Sequence, residues 1–90
     1  MEVSQLEKCI QEVLEEKFGC SFELVVGREL SHYHLSFRNT EFVLAFPIAL
    51  TNKTSSSALK NTVVSWLERD FELIKTSRYV EYDEEGGKNS

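Results

Sequence analysis

Two cysteines, one proline and four glycines are all that this 90-residue chain holds of the residue types that staple or punctuate a backbone. Cys9 and Cys20 are too few for a disulfide framework and are not spaced as metal ligands usually are, so the expected setting is a reducing cytosol. Gly86 and Gly87 lie near the C-terminus, and no glycine-rich loop follows a strand to cradle a phosphate. Basic charge is scarce as well. Ten Lys and Arg stand against fifteen Asp and Glu, a net charge of -5, with no dense basic stripe to neutralise several phosphates, which disfavours direct nucleic-acid binding. The longest apolar run, residues 42–50, contains Pro47 and falls far short of the roughly 20 residues that span a bilayer. The opening MEVSQLEKC lacks the basic start and apolar block of a secretory signal. Neither a membrane helix nor a leader is expected.

What is present is the composition of a folded domain: 41% hydrophobic, 11% aromatic and 28% charged residues. Ninety residues suffice for one small core and exclude a second domain. Residues 1–18 and 81–90 each carry a net charge of -3, whereas residues 19–80 come to +1. The acids are therefore concentrated at the two ends.

Val3, Leu6, Ile10, Val13 and Leu14 recur at helical spacing and predict a first helix, with Ser4 and Glu7 as a capping box and Gly19 as its stop. Cys20, Phe22, Leu24 and Val26 then alternate with more polar neighbours. Tyr33, Leu35 and Phe37 do so against His32, His34, Ser36 and Arg38. After a turn at Asn39 and Thr40, Phe42, Leu44 and Phe46 continue the buried side, so the three segments read as an antiparallel meander. Val43 and Ala45 make the third strand apolar on both faces, which places it centrally.

Residues 51–57 form a polar loop rich in helix-capping side chains. Leu59, Val63, Trp66, Leu67, Phe71 and Ile74 then predict a second helix. Residues 78–82 suit a short edge strand, and residues 83–90 read as a mobile acidic tail. The expectation is thus a two-layer α+β domain over residues 1–82, with both helices on one face of the meander and the other sheet face open.

Few residues invite a chemical reading. His32 and His34 share a strand face but lack further ligands, so an exposed polar face accounts for them and no metal is expected. Asp70 falls inside the apolar stripe of the second helix, where an unpaired carboxylate would be costly. It should either pair with a cation such as Arg38, Arg78 or a histidine, or break the helix near Arg69 and cap a new turn. No Ser, Cys or Thr stands in a nucleophile motif, so neither catalysis nor a cofactor is expected. Trp66 and Tyr33 read as core, and Tyr79 and Tyr82 as interface side chains beside acids.

The order helix, meander, helix looks like that of double-stranded RNA-binding domains. Those domains carry a lysine cluster at the start of the last helix, where this chain reads SSSALKN with only Lys53 and Lys60 nearby. Over most of its length the order also looks like the beginning of bacterial secretion chaperones, which are small, acidic and dimeric. In size and charge the chain resembles small acidic phage-encoded inhibitors, anti-CRISPR proteins among them. No motif chooses among the three.

By elimination the expected function is a cytoplasmic, non-enzymatic protein-binding module: an adaptor, chaperone-like factor or inhibitor that occupies a larger partner with a basic surface, with a homodimer as one available state. The contact residues singled out are Glu12, Glu15 and Glu16 on the first helix, His32, His34 and Arg38 on the open sheet face, and Tyr79 and Tyr82 at the C-terminal edge. The alternative is a nucleic-acid-associated domain of the RNA-binding topology that uses Lys53, Lys60 and Arg38.

Overall fold

The computed structural model describes residues 1–25, 33–52 and 55–89. Helix α1 spans Val3–Phe18, and Gly19 ends it in the left-handed conformation, its N–H bonded to the Glu15 carbonyl. The start differs from the expected box at Ser4 and Glu7. Glu2 is the cap, and the Gln5 side-chain oxygen accepts its N–H at 2.9 Å. Because Val3 is already helical, Ser4 and Glu7 lie within the first two turns, too late to serve orphan N–H groups. Leu6, Cys9, Ile10, Val13 and Leu14 form the buried stripe.

Strands β1 (Glu23–Val25), β2 (His34–Arg38) and β3 (Val43–Pro47) build the antiparallel meander, with Leu24 opposite Phe37 and Phe37 opposite Leu44. The β2–β3 turn is fixed by Asn39, whose side-chain oxygen accepts the N–H groups of Glu41 and Phe42, each at 2.8 Å. A 3-10 segment, Ile48–Asn52, leads to α2 (Ser56–Arg69), where the Ser55 hydroxyl accepts the Ala58 N–H. Helix α3 (Phe71–Ser77) follows directly. It closes on Arg78, a non-glycine residue at φ 65°, whose carbonyl accepts the Val43 N–H at 2.8 Å.

Strand β4 (Tyr79–Tyr82) pairs in parallel with β3 and carries a further short strand, β5 (Lys88–Asn89), on its other side, giving the sheet order β1-β2-β3-β4-β5. Two expectations are corrected here. Residues 79–82 are not an edge strand, and residues 83–89 are not a loose tail but a turn and a strand. The Asp83 carboxylate accepts the N–H groups of Glu85 and Gly87, at 2.9 and 2.8 Å, and the Asp83 N–H donates to the Gly87 carbonyl at 2.8 Å. The segment lacks apolar residues of its own, so its anchors come from elsewhere: Gly86 lies on the Trp66 indole, and Lys88 reaches Asp70.

The three helices pack on the sheet face that presents Phe37, Leu44, Phe46 and Val80, and these residues form one core with Leu6, Ile10, Leu14, Leu59, Val63, Leu67 and Ile74. Replacing any of its fully buried leucines by alanine would cost about 2–5 kcal/mol. Rings cluster at the two ends of the core. Phe18, Phe22, Phe42 and Phe71 meet at one end, and Trp66 and Phe46 stack on either side of Tyr82 at the other, each 5.3 Å away. Alternation along the strands turns Glu23, His34, Ser36, Arg38, Val43, Ala45, Tyr79 and Glu81 to the opposite face. None of these belongs to the helix-covered core.

Candidate functional site

The first polar constellation centres on Asp70, between α2 and α3. Its carbonyl accepts the Ile74 N–H and its own N–H donates to Trp66, so the backbone bridges the two helices while the side chain caps neither. Instead the buried carboxylate receives Arg69 Nη2 at 2.7 Å, Lys88 Nζ at 3.2 Å and the Tyr82 hydroxyl at 3.0 Å. The helix does break at this position, but the cations are Arg69 and Lys88 rather than Arg38, Arg78 or a histidine. Arg69 also donates to the Gly86 carbonyl. Burial works against the charge of Asp70, yet the hydrogen bonds from Arg69, Lys88 and Tyr82 outweigh it and hold the carboxyl below its usual range. Burial first, and then the bond to Asp70, push the Tyr82 phenol well above its ordinary value.

Tyr82 is therefore not an interface residue. It is fully buried, because Tyr82 and Val80 share the core face of β4. Tyr33, expected in the core, is 76% exposed. It precedes β2 rather than belonging to it, so the strand's alternation does not govern its side chain.

The second sheet face carries His34 and Arg38 at opposite ends of β2, each with its own partners, and Tyr79 on β4. Arg38 Nη2 lies 3.0 Å from Glu23 Oε2 across β1 and β2. His34 reaches past β3, with Nε2 3.1 Å from the Tyr82 carbonyl and Nδ1 3.8 Å from Glu81 Oε1. The Tyr79 hydroxyl donates to Glu81 at 3.2 Å while 43% of the residue stays exposed. Burial, followed by the charge of Glu81, raises the Tyr79 phenol. Small residues, Ser36 and Ala45, occupy the centre and are buried. His32 lies outside the described residues.

The acids of α1 separate by role. Glu12 accepts Lys60 Nζ at 2.9 Å and is thereby held below its usual carboxylate range, tying α1 to α2 as Lys17 and Glu68 do at 3.1 Å. Glu15 and Glu16 remain exposed, Glu15 accepting Gln11 Nε2 at 2.8 Å. Of the cations named for duplex binding, Lys60 and Arg38 are thus engaged with acids, and Lys53 lies outside the described residues. Cys9 is buried beneath this helix pair, its thiol pushed up by burial despite the nearby Lys60 charge.

Sequence reasoning missed a cleft of about 370 Å³ at the end of the sheet. It is lined by Tyr33 just before β2, His34 at the start of β2, Pro47 at the end of β3, Ile48 and Ala49 of the 3-10 segment, and Asp83 and Glu84 of the β4–β5 turn. The Ile48 N–H donates to the Tyr33 carbonyl at 2.7 Å, which joins two of these segments. Its signal in the sequence is faint, since three separate stretches supply it.

Among the described residues no group of three His, Cys, Asp or Glu is arranged to hold a metal, and no helix is long and apolar enough to cross a membrane. No family model, curated protein or solved structure matches the chain.

Proposed function

We propose that this α+β domain is a cytoplasmic protein-binding module, acting without catalysis as an adaptor, chaperone-like factor or inhibitor, and that it contacts a larger basic partner with the second sheet face and the acidic β4–β5 turn beside it. The observation that carries this reading is the sheet itself. One face is packed under the helices, while the other carries the exposed Arg38 and Tyr79 on either side of Val43, next to a row in which Ser36 and Ala45 are buried. Such a face offers an exposed aromatic and an exposed cationic side chain, and aromatic and Arg side chains are enriched where protein interfaces bury surface. The charge of the chain, -5, favours a basic partner.

The test is capture from a native extract, with and without nuclease, using the wild-type chain and an Arg38→Glu, Tyr79→Ala double variant that melts at the wild-type temperature. A protein retained after nuclease treatment and reduced at least tenfold by the double variant supports the reading. Retention unaffected by the variant removes the sheet face from it. Loss on nuclease treatment, together with a duplex shift that weakens steeply with salt, favours the nucleic-acid alternative.

A further inference from the structure

The cleft at the end of the sheet combines features that select one kind of occupant. Pro47, Ile48 and Ala49 give it an apolar lining, and Tyr33, which also lines it, is exposed. Among the described residues, the formal charges lining it are the carboxylates of Asp83 and Glu84. At about 370 Å³ it sits at the small end of ligand-pocket sizes, with room for one or two side chains rather than a large cofactor.

The acidic lining is also held in place. Asp83 is fixed by the two backbone N–H groups its carboxylate accepts, and the turn that carries Glu84 is tied down by Arg69 on the Gly86 carbonyl and Lys88 on the buried Asp70. Carboxylates preset beside an apolar hollow bind a cation with little ordering cost. We infer that this cleft takes a short linear segment of a protein partner in which an arginine or lysine side chain adjoins a bulky apolar one. The apolar group fills the hollow over Pro47, Ile48 and Ala49, and the cation lies between Asp83 and Glu84. An anionic or nucleotide ligand would meet the same carboxylates as repulsion.

This inference rests on the protein-binding reading and names the partner chemistry at one end of the proposed surface. Its test is selection of a displayed random heptapeptide library on the intact chain, followed by fluorescence anisotropy with the enriched peptides. The expected consensus places Arg or Lys next to Leu, Ile, Val or an aromatic residue. Glu84 is exposed, so Glu84→Lys should leave the melting temperature unchanged while weakening the selected peptides about five- to tenfold. Tyr33→Ser should weaken them too, and Arg38→Glu should not.

A consensus without a cation, a failed selection, or equal binding by Glu84→Lys overturns the inference. If the cleft fails while extract capture still depends on Arg38 and Tyr79, the binding-module reading survives without it. If capture shows no dependence on Arg38 and Tyr79 while peptides bind in a Glu84-dependent way, the cleft stands and the sheet-face contact falls.

Discussion

Asp70 shows how one side chain can organise distant parts of a small protein. It lies on the apolar stripe of its helix, only 4% exposed, yet it is charged, because Arg69, Lys88 and the Tyr82 hydroxyl meet it there. Its carboxyl is held below the ordinary 3.8, so the unfolded chain binds this proton more readily than the folded one. The stability it supplies is therefore complete above the unfolded value and is lost as pH falls through 3.8 toward the lower folded value. Asp70→Asn keeps an acceptor for Tyr82 but removes the charge, and should flatten the acid limb of stability below the unfolded value of 3.8. Asp70→Ala also leaves the buried Tyr82 hydroxyl without its acceptor, at a cost of about 1–3 kcal/mol. The cations add less, since Arg69 and Lys88 keep contact with water. Urea titrations at neutral and acid pH check both. An acid limb identical in Asp70→Asn and wild type would show that the carboxyl does not titrate as described.

At the level of elements, the two glycines with positive φ among the described residues carry different loads. Gly19, at φ +69°, ends α1 with open space where a Cβ would stand. Gly86, at φ +84°, lies so close to Trp66 that a Cβ would sit 2.6 Å from Cε2. Gly19→Ala should cost only the left-handed backbone penalty, about 1–2 kcal/mol. Gly86→Ala adds overpacking of about 1–3 kcal/mol, but its total cannot exceed the free energy that holds the β4–β5 hairpin in place. The expected result is local. Amide protection should vanish at β5 and Trp66 emission should shift to the red, while α1 exchanges as before. Global unfolding of Gly86→Ala would instead mean that the hairpin and the core form one cooperative unit. This hairpin was not legible in the sequence, where acidic and small residues read as a solvated tail, because Trp66 and Asp70 lie more than a dozen residues upstream.

For the whole molecule, the distribution of acids matters more than their sum. Glu12 is spent on Lys60, and Glu68 on Lys17, so the helix side presents a weaker negative field than its composition implies. Glu84 and Glu85 are exposed on a turn of defined geometry, next to the proposed cleft. Screening at 0.1 M salt limits steering to charges within about 10 Å of the contact. Neutralising Glu84 and Glu85 should therefore slow association with a basic partner more than neutralising Glu15 and Glu16, an order opposite to that expected of a loose tail. Stopped-flow association rates across a salt series test this. Equal rates for both variants at low salt would reduce the acids to a solubilising role.

The sequence by itself determined the α+β class, the meander, the packing of the helices on one sheet face and the irregular position of Asp70. Each of these depends on local periodicity, which 3.6-residue and two-residue repeats record along the chain. Tertiary structure alone decided which cations meet Asp70, that Tyr82 is core and Tyr33 surface, that β4 runs parallel to β3, and that the last residues fold back as β5. It alone gathered β2, β3, the 3-10 segment and the terminal turn around one cleft. The physical reason is shared: these outcomes are contacts between residues far apart in the chain, set by how the layers close on each other, and no local repeat encodes them.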